Sequence, residues 1–149
     1  MTGDTDEFLE WVLPRMKSAD TALHNGDPTG RIAMWSRTDP VTVFGNAVSA
    51  TGWDKIEPLF EGLGKLFSHC ASFEVEVIAA AAGADLAYVV AIERTTASIA
   101  GRDPAPYVLR VTSIFRREDD EWKVVHRHAD PYDDAAAKAA TQLREGGLT

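Results

Sequence analysis

The sequence contains one cysteine, Cys70, so no internal disulfide can form, and the chain fits a reducing, cytoplasmic setting. Long hydrophobic runs are missing as well. The longest, Leu86 to Ile92, stops at Glu93, well short of the ~18–20 apolar residues of a membrane span. Basic charge is scarce: 15 Lys and Arg stand against 23 Asp and Glu, a net −8, and no basic run exceeds Arg116-Arg117. Nucleic acid and anionic membrane surfaces would be repelled by most of such a surface. The opening MTGDTDEF is acidic where an export signal would be basic, so no export signal is expected. What remains is a cytoplasmic chain whose partner is a small molecule or another protein, with no nucleic acid and no membrane.

The length of 149 residues suits one domain over 1–149, with a core over 6–132 and a tail over 133–149. Apolar residues at helical spacing (Phe8, Trp11, Val12, Met16, Ala19, Ala22, Leu23) predict a helix over 6–25, kinked or broken at Pro14 and stopped by Asn25-Gly26. Asp27-Pro28 opens a short helix to Trp35 or Ser36. Two strand-like runs flank Gly45-Asn46, and residues 53–69 return to helical spacing. Four strand-length runs follow, over 72–82, 85–100, 106–117 and 121–130. Turn signals separate them and no helix intervenes, which predicts an antiparallel meander. An alanine-rich helix from Asp133 to about Arg144 closes the chain. Together these elements predict an α+β fold: a curved antiparallel sheet wrapped around about three N-terminal helices, cone-shaped, with an internal pocket.

The stretches Ala22-Leu-His-Asn-Gly-Asp27, Ile32-Ala-Met-Trp35, Val41-Thr-Val-Phe-Gly45 and Thr51-Gly-Trp-Asp54 resemble the SnoaL-like branch of the nuclear transport factor 2-like superfamily. So do Leu109-Arg-Val-Thr112, Phe115-Arg-Arg-Glu118 and the ending Trp122-Lys-Val-Val-His-Arg-His-Ala-Asp130. That ending is also similar to the close of the association domain of calcium/calmodulin-dependent protein kinase. The resemblance covers roughly residues 6–132 and implies the same cone, commonly dimeric, but no particular reaction. The ketosteroid isomerases of this superfamily place an Asp base at the end of the first strand, where this chain has Val43-Phe44-Gly45-Asn46. Their oxyanion-hole Tyr falls near Ala19, and its acidic partner has no counterpart within Val108 to Ile114. The resemblance therefore does not carry that mechanism over.

Strand alternation decides which side chains can meet. Trp122, Val124, His126, His128 and Asp130 share one parity; Val108, Arg110, Thr112 and Ile114 share another run, and Tyr88, Val90, Ile92 and Arg94 a third. Pointing these faces into the cone gives a pocket with His128, His126 and Asp130 as candidate catalytic groups. Arg110, Thr112, Arg94 and Tyr88 become ligand-binding candidates, with Trp35, Phe44, Trp53 and Phe60 as apolar walls. Pairing about the turn at 118–121 puts Arg110 opposite His128 and Thr112 opposite His126. A His can exchange a proton near neutral pH, and Asp130 can hold its tautomer. The competing reading makes the histidines satisfied structural groups and Arg110 half of a salt bridge. His126-x-His128-x-Asp130 also has metal-ligand spacing, but no further ligand clusters with it, so neither a metal nor another cofactor is expected. The opposite parity (Glu93, Ser113, Lys123 and Arg127, with Val89, Val111, Phe115 and Val125) is assigned to the convex face, buried by a second copy in a homodimer. The expectation is a protein that binds a small, largely apolar carbonyl- or carboxylate-bearing molecule, with His-based lyase, isomerase or hydrolase chemistry. The alternative is a non-catalytic binding or association module.

Overall fold

A run of apolar residues at helical spacing folds as α1 (Gly3–Leu23), which buries Phe8, Val12, Met16, Ala19 and Leu23. The structure is a computed structural model describing residues 3–149; Met1 and Thr2, the start of the expected 1–149 domain, lie outside the described residues. Helix α1 runs through Pro14 instead of breaking there. Proline removes the hydrogen bond to the carbonyl of residue 10, and Glu10 and Pro14 are both exposed, where water can replace it. The chain continues through α2 (Thr29–Met34), β1 (Thr42–Phe44), β2 (Ser49–Thr51) and α3 (Trp53–Leu66). The four long strands are β3 (Phe67–Ala82), β4 (Leu86–Ile99), β5 (Ala105–Glu118) and β6 (Glu121–Pro131), and α4 (Asp134–Glu145) ends the fold. Among the described residues no helix is long and apolar enough to cross a membrane.

The sheet order is β2-β1-β6-β5-β4-β3. The expected meander spans β3 to β6, and the β1–β2 hairpin extends it through a parallel pairing of β1 with β6. Helix α1 packs against the inner face, where Phe8 meets Phe115 and Trp122 edge-on at centroid distances of 5.1 and 5.3 Å. Edge-to-face contact suits the charge distribution of aromatic rings. The same face carries Ala87, Val89 and Ala91 of β4 and Leu109 and Val111 of β5, all buried.

Two local features of β5–β6 decide which side chains face inward. The turn is the pair Asp119-Asp120, both left-handed at φ 50° and 63°, so Glu118 pairs Glu121 and Phe115 pairs Val124. The register then shifts: Ile114 pairs His126, Thr112 pairs His128 and Arg110 pairs Asp130. Val125 is the extra residue of a β-bulge, which flips the alternation of everything beyond it. Trp122 and Val124 are buried before the bulge, Arg127 and Ala129 after it.

The expected faces are therefore exchanged on β4, on β5 and on β6 beyond the bulge, while Trp122 and Val124 stay inside as expected. Glu93, Ser113, Arg127, Val89, Val111 and Phe115 are buried in the interior and do not form a convex surface. Arg110, Thr112, His126, His128 and Asp130 lie on the outer face, together with Tyr88, Arg94 and Phe44. The expected pairs Arg110–His128 and Thr112–His126 are replaced by Arg110–Asp130 and Thr112–His128.

Candidate functional site

The interior polar groups begin at the end of α1. Gly26, at φ 96°, lets the chain leave the helix just after His24. That leaves Asp20 and His24 one turn apart on the inner side. Helix α2 crosses α1 closely: a Cβ on Gly30 would stand 3.1 Å from the Cα of Ala19. This approach delivers Arg31 to Asp20, whose Oδ1 accepts from Arg31 Nε at 3.0 Å and again from Arg31 Nη2. Across the sheet, Arg127 donates through Nη1 and Nη2 to Glu93 at 3.0 and 2.8 Å, a bidentate pair. Asp20, Arg31, Glu93 and Arg127 are all buried.

Arg31, Glu93 and Arg127 belong to the polar end of an internal cavity of about 70 Å³, with Asp20 behind Arg31. His24, Arg31, Glu93, Thr95, Tyr107 and Arg127 line that end. Apolar walls come from β1 (Val43), α3 (Leu59, Phe60, Leu63), β5 (Leu109) and the C-terminal helix and its exit (Ala139, Leu143, Leu148). A smaller void of about 30 Å³ lies on the other side of Arg31 and Arg127, beside Met16, Trp35 and Ser113. A groove of about 300 Å³ runs between α4 and the β4–β5 end, and Tyr107 and Ala139 line both it and the internal cavity.

The His24 ring has a defined tautomer. Nδ1 lies 2.6 Å from the Asp20 backbone carbonyl. A carbonyl only accepts, so Nδ1 carries the proton. Nε2 then accepts from the Tyr107 hydroxyl at 2.7 Å. Burial lowers the pKa of His24, the Asp20 carbonyl and carboxylate offsetting this only in part. Burial raises the pKa of Tyr107, and the Glu93 carboxylate adds to the rise. Both are thus neutral near pH 7, an imidazole base touching a phenol acid. Burial works against charge on Asp20, yet Arg31 and Arg127 more than offset it and its pKa falls. The same holds for Arg127, whose pKa rises because Glu93 outweighs the cost of burial.

Of the residues the sequence singled out, Phe60 alone lines this cavity. Trp35 is core, edge-on to Phe60 at 5.2 Å and bordering the smaller void. Trp53 sits at the start of α3 beneath the Arg37 guanidinium. The remaining candidates gather outside. His126 Nδ1 shares a hydrogen bond of 2.7 Å with Thr42 Oγ1, and Phe44 packs edge-on against His126 and His128. Arg110 makes a bidentate ion pair with Asp130, and Arg94 pairs with Glu76. Thr112 and Tyr88 share this outer face. Among the described residues no group of three His, Cys, Asp or Glu side chains is placed to hold a metal ion.

Sequence reasoning missed Asp20, His24, Arg31 and Tyr107 and assigned Glu93 and Arg127 to the wrong face. A signal was available. Glu93 and Arg127 share their parity with Val89, Ala91 and Ala129, and opposite charges on otherwise apolar stripes suit a buried pair.

Known proteins agree with this architecture. Residues 15–132 match the SnoaL-like domain. A nuclear transport factor 2-like superfamily protein from Salmonella enterica has a TM-score of 0.72 at 15% identity, covering 87% of this chain and 94% of its own. A proposed scytalone dehydratase from Novosphingobium aromaticivorans has a TM-score of 0.71 at 18% identity, covering 89% of each chain. A proposed calcium/calmodulin-dependent protein kinase type II association domain from Thiobacillus denitrificans has a TM-score of 0.57 at 20% identity, covering 79% of this chain and 88% of its own. No curated protein sequence matches. At these identities the structural likeness is one of fold, whereas the domain match spans most of the sequence: the chain belongs to the SnoaL-like domain family.

Proposed function

We propose that this protein binds a small, largely apolar molecule bearing a carbonyl-type oxygen in its internal cavity, and that His24 and Tyr107 move a proton next to that oxygen. The observation that supports this most is the 2.7 Å contact between His24 Nε2 and the Tyr107 hydroxyl at the polar end of an otherwise apolar cavity. In the structure, acid and base satisfy each other. A ligand carbonyl that takes the Tyr107 hydrogen bond frees the Nε2 lone pair. Nε2 then removes a proton from the carbon beside the carbonyl, and the phenol steadies the enolate oxygen. In an unsaturated ketone, returning that proton to a different carbon is isomerisation; giving it to a β-hydroxyl as the C–O bond breaks, so that water leaves, is dehydration. The Novosphingobium protein of the same fold carries the name of a dehydratase, a reaction of this kind.

The cavity of about 70 Å³ is below the ~300–1,000 Å³ of most small-molecule pockets. Helix α4 is the wall that yields. It buries only Ala136, Ala139, Ala140 and Leu143, and the outer groove meets the cavity at Ala139 and Tyr107. Lifting α4 joins the two spaces.

A thermal-shift panel of small ketones, esters, amides and acids tests binding. Acetophenone in D₂O, followed by proton NMR, then tests the chemistry through loss of its α-methyl signal. Wild type is expected to accelerate this exchange and His24→Gln to abolish the acceleration. A panel with no stabilising member refutes the binding, and binding without exchange refutes the catalytic half.

The outer face supports a second reading, self-association. Phe44 and Tyr88 are exposed there, and its cations Arg94 and Arg110 are already neutralised by Glu76 and Asp130. On a chain of net charge −8, a charge-balanced face is where a second copy meets least repulsion. Sedimentation of wild type and Phe44→Glu tests it: a dimer converted to monomer is expected, and a monomeric wild type at micromolar concentration refutes it.

A further inference from the structure

We infer that Glu93 and Asp20 set the charge of the ligand: by neutralising both cavity guanidiniums they make the site accept an uncharged carbonyl head and reject a carboxylate. The inference rests on the proposed binding of a carbonyl-type ligand at the His24–Tyr107 end, and narrows it. Two arginines lining an apolar cavity ordinarily suggest an anion site. Here each is already matched. Arg127 spends two N–H donors on the two Glu93 oxygens, at 2.8 and 3.0 Å, and Arg31 spends two on Asp20 Oδ1. The four charges sum to zero before any ligand arrives.

A carboxylate placed beside this cluster brings a fifth charge with no counter-ion. The remaining titratable neighbours cannot supply one. Burial keeps His24 neutral and Tyr107 protonated, and Tyr107 already feels the negative Glu93. The cavity walls are otherwise apolar, apart from Thr95 and Asn46, so the desolvation cost of an anion there goes unrecovered. A ketone, ester or amide meets no such obstacle. Its oxygen needs only N–H or O–H donors, and a guanidinium has five. Tyr107 supplies another.

Arg127 and Glu93 come from strands separated by β5, so their pairing is a tertiary feature that one substitution can undo. Glu93→Gln preserves shape and one acceptor oxygen but leaves Arg127 with an uncompensated charge. The site should then recruit an anion to replace the lost carboxylate, reversing its preference. Asp20→Asn should do the same through Arg31.

The test is the affinity of wild type, Glu93→Gln and Asp20→Asn for two matched pairs, benzamide with benzoate and hexanamide with hexanoate, by titration calorimetry at pH 7.5. Each pair differs in head-group charge with little change of shape. Wild type is expected to favour the amide at least tenfold, and whichever variant retains its circular dichroism spectrum is expected to favour the acid. Equal or tighter binding of the acids to wild type overturns the inference and leaves the binding reading standing. An unreversed preference in a folded variant overturns the role of that carboxylate. Should neither variant fold, the wild-type comparison decides. If no probe of either charge binds, the underlying binding reading fails, and the inference with it.

Discussion

Glu93 of β4 and Arg127 of β6 reach each other over the intervening strand β5, closing two hydrogen bonds of 2.8 and 3.0 Å inside the cone. Their side chains are 2% and 10% exposed, so the pair is desolvated. Breaking such a pair from one side strands a charge and costs about 3–5 kcal/mol. Glu93→Gln and Arg127→Met should each lose stability in that range by urea denaturation. The double variant Glu93→Leu/Arg127→Met should recover most of it, because it removes both charges together. A double variant no more stable than the worse single would show that the pair's hydrogen-bond geometry matters beyond its charge balance.

The buried imidazole makes stability depend on acid. The pKa of His24 is lowered by burial, so the unfolded chain takes up a proton more readily than the folded one. Its stabilising contribution is complete above the unfolded value of about 6.5 and is lost as pH falls below that towards the lowered folded value. His126 has the same sign, being lowered by burial and by the neighbouring His128. Thermal melts from pH 7.5 to 5 should therefore show wild type losing stability more steeply than His24→Gln. Parallel curves would mean that the folded state protonates His24 freely.

Helices and strands were legible in this sequence; the side of the sheet that each residue faces was not. Apolar spacing located α1, α3 and the four long strands because periodicity is a local property. The face of β6 depends on Val125, one extra residue with nothing in its chemistry to mark it. Counting alternation from Trp122 therefore put His126 and His128 inside and Arg127 outside. The site shares this difficulty, since Asp20, His24 and Arg31 meet Tyr107, Glu93 and Arg127 only after α1 and α2 dock on the sheet. Deleting Val125 tests the account. It removes the extra residue, so plain alternation from Trp122 and Val124 leaves His126 and His128 outside and Arg127 and Ala129 inside, as they stand. Cooperative unfolding is expected to survive the deletion, as it should in Val125→Ala, which keeps the bulge. A deletion variant that no longer unfolds cooperatively would mean that Val125 does more than fill the bulge.

The β5–β6 turn invites the opposite kind of change. Asp119 and Asp120 both adopt positive φ, at 50° and 63°. Side chains resist this region by about 1–2 kcal/mol, less for Asp and Asn, and two-residue hairpin turns of this geometry favour asparagine followed by glycine. The double variant Asp119→Asn/Asp120→Gly should be more stable by about 1 kcal/mol in urea denaturation, with ligand binding unaffected. Unchanged or reduced stability would show that the aspartates make compensating interactions in the folded state.

The Tyr107 hydroxyl separates a binding cavity from a catalytic one. Tyr107→Phe keeps the ring that stands between the cavity and the outer groove but removes the proton donated to His24 Nε2. Leaving that nitrogen unpaired in a buried position should cost about 1–3 kcal/mol of stability. Acetophenone should still bind, within a fewfold of wild-type affinity, because the apolar walls are untouched. Deuterium exchange at its α-methyl group should slow by about 10²–10⁴-fold, the usual worth of a positioned acid or base. The loss should fall on the maximal exchange rate and spare the half-saturating concentration, since the hydroxyl matters most as charge grows on the carbonyl oxygen. Exchange as fast as wild type would reduce the His24–Tyr107 contact to a structural bond. A loss confined to half-saturation would make Tyr107 a binding group and leave His24 to act without an acid partner.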